Sequence, residues 1–293
     1  MILDAKDISV KFRHGALAVS GLSFSVEKGE ILTLLGDAES GKTSVLKTIA
    51  GLYKKSDGRI LFNGIDDEKI LPKDKKIFLM HEDGGFFEHR SVLFNLKYPL
   101  KIRNQAFSTE KLIFTDKKLL KKTIKKLTPE ERLCVMFDRA TLRDDAEIFL
   151  LDDPFKIVPA ERRKDVFRKY LPFILSLKKR GAVVYATTEI AEATALGDTL
   201  LLHYGVEQQR GKAIDFAEDP SSLCALYYSQ AHYKEGLTTI VDVKKPFVTV
   251  DEQKYFIDKE KLLNEIYIGK EVIFARTENK LFLFDKKCEQ RIY

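Results

Sequence analysis

The sequence predicts an α/β domain on a mixed sheet, with antiparallel β and helical subdomains, followed by a small all-β domain. Three observations predict it. The apolar run Ile31-Leu32-Thr33-Leu34-Leu35 leads directly into Gly36-Asp37-Ala38-Glu39-Ser40-Gly41-Lys42-Thr43, a complete GxxxxGK[ST] phosphate-binding loop. A second apolar run, Ile148-Phe149-Leu150-Leu151, ends in Asp152-Asp153-Pro154. From about Leu223 the texture changes to short strand-like segments at close intervals.

Composition bounds the function classes. With 293 residues, 44% apolar and 32% charged, the chain has the makeup of a soluble globular protein with room for one large and one small domain. No run approaches the roughly 20 apolar residues of a membrane-spanning helix. The start, Met1 to Lys6, lacks the layout of a signal peptide. Cys134, Cys224 and Cys288 are odd in number and far apart, which suggests neither a disulfide framework nor a zinc site. The cytoplasm is the default compartment.

Residues 1–30 alternate through Ile8, Val10 and Phe12, then Leu22, Phe24 and Val26, and read as antiparallel strands ending at Glu27-Lys28-Gly29-Glu30. The loop after Leu35 needs its strand, tight turn and helix in that order. Its N–H groups point at phosphates, Lys42 supplies a point charge, and Thr43 offers a hydroxyl to Mg²⁺. The helix from Thr43 to Ala50 adds its dipole, so the nucleotide-binding positions run from Gly36 through Asp37, Ala38, Glu39, Ser40, Gly41, Lys42 and Thr43 to Ser44. Arg59 to Phe62 is a short strand before the turn Asn63-Gly64, and Ile77 to Met80 is a buried strand.

Residues 93–145 read as largely helical. Within them, Lys117 to Leu127 places Leu120, Ile124 and Leu127 at helical spacing among lysines, which predicts a basic amphipathic helix. That face suits solvent, acidic lipid headgroups or nucleic acid. The run ending at Asp152 is a central parallel strand presenting a carboxylate at the sheet edge where ligands bind, placed to hold Mg²⁺ together with Thr43. A helix from about Ala160 to Arg180 ends at Gly181, and Ala182 to Thr187 is the next strand. After a join near Pro220-Ser221-Ser222, so that the domains are 1–222 and 223–293, five strands are expected: Thr239–Val243, Phe247–Val250, Lys254–Asp258, Glu271–Ala275 and Lys280–Phe284.

This order of motifs resembles the P-loop ATPase subunit of an ABC transporter, over nearly the whole chain. It looks most like the importer type with a C-terminal OB-like barrel, as in carbohydrate uptake. Phe12 sits where that family stacks an aromatic on adenine. Phe86-Phe87-Glu88-His89-Arg90-Ser91-Val92-Leu93-Phe94-Asn95 resembles its LFPHLTVxEN stretch, and Gly205 to Gly211 resembles the segment before its β domain. The resemblance implies ATP and Mg²⁺ as cofactors. It implies docking on membrane permease subunits at the cytoplasmic face through the segment around Glu82 to Asn95, and a homodimer or heterodimer with a second ATPase subunit.

The departures set further expectations. The family's Q-loop glutamine aligns with Glu82, or with His81 in the alternative register. Its catalytic glutamate is Asp153, its switch histidine Thr188 and its D-loop aspartate Pro159. Its LSGGQ, which grips nucleotide held by the opposite subunit, aligns with Leu127-Thr128-Pro129-Glu130-Glu131. There Thr128 and Glu131 form a capping box with proline at the first helical position, so the helix satisfies its own N–H groups. Asp153 is one methylene shorter than glutamate, and a misplacement of ~1 Å can cost on the order of 100-fold in rate. Binding of Mg-ATP with weak or partner-dependent hydrolysis follows. A non-catalytic regulatory module acting through the β domain is the alternative. A nucleic-acid role is disfavoured, because the lysines are not interleaved with aromatics.

Overall fold

The computed structural model describes residues 1–12, 15–72, 74–217, 220, 222, 225, 234–239, 247–250, 252–257, 267, 270–276, 280–287 and 289–293. It divides into two compact units, Met1–Val206 and Glu207–Tyr293, upstream of the join expected near Pro220.

The first unit holds two sheets. β1 (Leu3–Lys11), β2 (Leu17–Val26), β4 (Asp57–Phe62) and β5 (Ile65–Asp66) form an antiparallel sheet in the order β2-β1-β4-β5. β3 (Ile31–Leu35), β6 (Ile77–Met80), β7 (Ile148–Asp152), β8 (Ala182–Thr187) and β9 (Asp198–His203) form a parallel one, in the order β9-β3-β8-β7-β6. The helices are α1 (Lys42–Ile49), α2 (Val92–Ile102), α3 (Pro129–Leu142), α4 (Ala160–Leu177) and α5 (Ile190–Leu196).

Both faces of the parallel sheet are covered, which is why its strands read as unbroken apolar runs. Along β7, Ile148 and Leu150 join the core with α1 and the antiparallel sheet, while Phe149 and Leu151 join the core with α3 and α4. The second core is strongly aromatic: Phe137 stacks on Tyr170 at 4.5 Å between centroids, and Phe155 meets Phe167 edge-on at 5.6 Å. Packing the central strands this way fixes the ends of β3, β7 and β8 side by side, and the loops leaving them build the site.

The expected basic helix over Lys117–Leu127 is not present. Short 3₁₀ turns at Lys117–Leu119 and Ile124–Lys126 occupy the segment. In an α-helix, Lys117/Lys121, Lys118/Lys122, Lys121/Lys125 and Lys122/Lys126 would be like-charge neighbours four residues apart. The backbone pairs instead with residues 88–93: Val92 N–H donates to Lys122 O, and Lys125 N–H to Glu88 O. Ile124 and Leu127 are still buried, so the apolar signal was real and the period was misread. Helix over 93–145 is likewise confined to α2 and α3, joined by turns.

The second unit, entered along β10 (Val206–Lys212), is rich in strands: β11 (Lys234–Thr239), β12 (Phe247–Val250), β13 (Gln253–Phe256), β14 (Glu271–Arg276) and β15 (Leu281–Asp285). β11, β14 and β15 form one antiparallel sheet, and β12 and β13 a hairpin. Val248, Val250, Val272, Phe274 and Leu283 share its core. Of the expected strand Thr239–Val243 only Thr239 is described, where β11 ends; the rest, with Asp258, Cys224 and Cys288, lies outside the described residues.

Candidate nucleotide site

The loop between β3 and α1 is shaped by its two glycines. A Cβ on Gly36 would lie 2.3 Å from the Leu202 carbonyl oxygen, and one on Gly41, at φ 98°, would lie 2.5 Å from that of Ala18. Neither position can carry a side chain without moving backbone. Gly41 is also the N-cap of α1 and offers no side chain to the first N–H groups of the helix, which has no acid in its first turn. Those donors remain for an anion. Lys42 folds back under the loop and donates to Gly36 O at 2.7 Å, Asp37 O at 2.6 Å and Ser40 Oγ at 3.0 Å. Burial pushes its amine down to about 8, against the pull of Asp153, Asp152 and Asp37.

Opposite the loop, Thr43 Oγ1 donates to Asp152 Oδ1 at 2.9 Å. Asp152 is 1% exposed, and its Oδ2 is buried with no hydrogen-bond partner. Burial raises its carboxyl above the usual range, against the Thr43 hydrogen bond. A buried carboxylate oxygen with an unmet acceptor beside a threonine hydroxyl fits the oxygen donor set of Mg²⁺.

A cavity of about 700 Å³ opens here. Of the residues singled out in the sequence, Phe12, Ala38, Glu39, Ser40, Gly41, Lys42, Thr43, Ser44, Glu82, Asp152, Asp153 and Thr188 line it. Gly36 and Asp37 are not among its lining residues but hold Lys42 through their carbonyls. Asp37 and Glu39 are both exposed, and Glu39 also faces the cavity. Phe12 is exposed and meets Tyr53 edge-on at 5.9 Å.

Two further cations line the cavity that sequence reasoning missed, Lys156 and Arg163. Arg163, near the start of α4, donates to Asp153 Oδ1 at 2.6 Å, Glu192 Oε1 at 2.8 Å and Thr187 Oγ1 at 3.3 Å. Glu192 also accepts from Tyr185 OH at 2.7 Å and Thr187 Oγ1 at 2.8 Å. Burial opposes the Arg163 charge, but the carboxylates of Glu192 and Asp153 outweigh it and hold its proton more firmly than usual. Asp153 sits just past β7 in the left-handed region, at φ 40°. Burial raises its carboxyl, with Arg163 pulling the other way. The signal for both cations is positional: Lys156 is three residues past Asp153, in the loop leaving the carboxyl edge of the sheet, and Arg163 is ten.

At the expected trans motif, Thr128 Oγ1 accepts from Glu131 N–H at 3.2 Å and Glu131 Oε2 accepts from Thr128 N–H at 2.9 Å. Pro129 opens α3 as expected. Among the described residues, no helix is long and apolar enough to cross a membrane.

The profile of the ABC transporter family matches residues 19–156, which include the loop, Asp152 and Asp153. The trehalose/maltose import ATP-binding protein MalK of Thermococcus litoralis is 28% identical over 284 residues, covering 90% of this chain and 75% of that one. The sn-glycerol-3-phosphate import ATP-binding protein UgpC 3 of Rhizobium johnstonii is 30% identical over 225 residues, covering 74% and 64%. The chain spans 61 to 75% of the length of the first such relatives. Among solved structures, the ATP-binding cassette MJ0796 in a dimeric post-hydrolysis state with ADP and Pi matches with a TM-score of 0.62 at 18% identity, over 72% of this chain and 98% of that one. An ATP-binding subunit of an ABC transporter matches with a TM-score of 0.63 at 20% identity, over 79% and 95%. At those identities the likeness is one of fold.

Proposed function

We propose that this chain, whose residues 19–156 match the ABC transporter family, is the ATP-binding subunit of an ABC importer, one that holds Mg-ATP firmly and hydrolyses it slowly unless a partner assists. The observation that carries this reading is the pairing of an uncapped α1 N-terminus with the Thr43–Asp152 contact, whose Oδ2 has no partner. Thr43 and Asp152 would hold Mg²⁺, which would supply positive charge against the phosphates. Lys42 exchanges its carbonyl acceptors for phosphate oxygens, a charge-assisted trade that favours the bound state. Phe12, which lines the cavity, would offer an aromatic face to the base.

Hydrolysis is the weak step. Asp153, the carboxylate that aligns with the family's catalytic glutamate, is held by Arg163 at 2.6 Å and is one methylene short of a glutamate. An oxygen committed to a guanidinium is a poor acceptor for a water proton. Thr188 brings no imidazole to orient that water. The capped start of α3, with Glu130 and Glu131 in its first turn, repels a phosphate instead of welcoming one. A partner subunit would supply what this chain lacks, and membrane permease subunits would receive it at the cytoplasmic face. The named relatives import sugars and sn-glycerol-3-phosphate, so a carbohydrate or related solute is the class to test first.

Calorimetric titration with Mg-ATP, with Lys42→Ala as control, tests the reading. A Kd of about 1–100 μM that is lost in the variant supports it. Wild-type protein that takes up no heat over that range would sink it.

A further inference from the structure

The cavity holds three cations, and they differ in how free they are to meet a ligand. Lys42 is 7% exposed, with three acceptors already around its amine. Arg163 is 13% exposed at its side chain and joins two carboxylates that are 9% and 4% exposed, so moving it would strand both. Lys156 is built otherwise. Its side chain is 58% exposed, and its amine pairs with one group, Glu82 Oε2 at 2.6 Å, itself 35% exposed. An ion pair this open to water is worth about 0–1 kcal/mol. A doubly or triply charged phosphate group in the same cavity competes for the lysine on favourable terms, because charge-assisted bonds to phosphate are among the strong ones.

We propose that Lys156 is a ligand of the terminal phosphate of a bound nucleoside triphosphate, paired with Glu82 until that phosphate arrives and released to it then. The proposal rests on the nucleotide-binding reading above and deepens it. Lys156 lines the cavity together with Lys42, Thr43, Asp152 and Asp153, the groups that the nucleotide reading assigns to phosphate and Mg²⁺. It is near enough to Lys42 to oppose that amine's protonation, and near enough to Asp152 and Asp153 to be favoured by them. Its flexible stem lets one amine serve Glu82 or a phosphate in turn. The site thereby gains from its own chain a positive contact that the capped start of α3 is not built to offer. The consequence is selectivity: the exchange is open only to a nucleotide whose last phosphate reaches that far.

The test is a comparison of Mg-AMP-PNP with Mg-ADP by calorimetry on the full chain. Lys156→Ala should weaken AMP-PNP binding about 10-fold and ADP binding less than about 2-fold, as expected for losing one charge-assisted contact. Lys156→Arg should restore most of the preference. Glu82→Gln, which frees the lysine, should tighten AMP-PNP binding about 2- to 5-fold. A thermal melt of each variant within a degree or so of wild type excludes misfolding as the cause, since both side chains are partly solvated. Equal losses for the two nucleotides, no loss at all, or weaker AMP-PNP binding in Glu82→Gln would each overturn the proposal and leave the nucleotide reading standing. Absence of binding by wild-type protein would overturn both.

Discussion

Arg163 is the residue on which the acidic side of the cavity is organised, although no motif contains it. Its guanidinium spans Asp153 and Glu192, and Glu192 in turn collects the hydroxyls of Tyr185 and Thr187 at the end of β8. The neutral members are drawn in as well: burial, and the Glu192 carboxylate beside it, raise the Tyr185 phenol well above its ordinary value, so it stays a donor. Removing one partner of a buried charged pair costs more than the pair contributes, because the other charge is left without compensation. Arg163→Met should therefore destabilise the chain by about 3 kcal/mol, at the lower edge of the usual range because the two hydroxyls still serve Glu192. Adding Glu192→Gln should return part of that loss, as expected for directly coupled sites, with Asp153 still left without its cation. Urea denaturation of the single and double variants measures both, and a single-variant loss under about 1 kcal/mol would show that the network is not structural.

At the scale of elements, α3 shows how a local sequence choice removes a chemical option. Thr128 and Glu131 satisfy each other's N–H groups, Pro129 has none to satisfy, and Glu131 also reaches Lys122 at 3.2 Å. Thr128→Ala should cost about 1 kcal/mol of stability while leaving nucleotide affinity unchanged. A denaturant melt paired with a titration separates the two, and a several-fold change in affinity would mean that this helix start does take part in binding phosphate. The capping box was legible because its rule is local: three residues at fixed spacing determine it. The loop at Gly36–Thr43 and the buried strands β3 and β7 were legible for the same reason, a short motif beside a period that both faces of the sheet enforce. The segment Lys117–Leu127 was not, since its apolar spacing suits a helix while its lysines and its pairing with residues 88–93 forbid one. Lys156 and Arg163 escaped because their roles come from where a loop and a helix return to the sheet, 74 residues from Glu82 in one case and 29 from Glu192 in the other.

At the scale of the whole molecule, the division at Val206/Glu207 separates a unit that carries the cavity from one that does not. Each has its own buried core, centred on β3, β7 and β8 in the first and on β12, β14 and β15 in the second. A core of its own gives each unit the means for its own cooperative transition. A ligand that binds only the native form of one unit stabilises that unit by mass action, about 2.7 kcal/mol when its free concentration is 100 times Kd. For a unit of this size that corresponds to a rise of about 5–10 °C in its midpoint. Scanning calorimetry of the full chain should therefore show two transitions, of which saturating Mg-AMP-PNP moves one and leaves the other where it was. Lys42→Ala should remove the shift, and Lys156→Ala should reduce it by about 1.4 kcal/mol, the equivalent of a 10-fold loss in affinity. Two transitions that moved together, or a shift that survived Lys42→Ala, would place the nucleotide elsewhere in the chain and would require the site to be assigned anew.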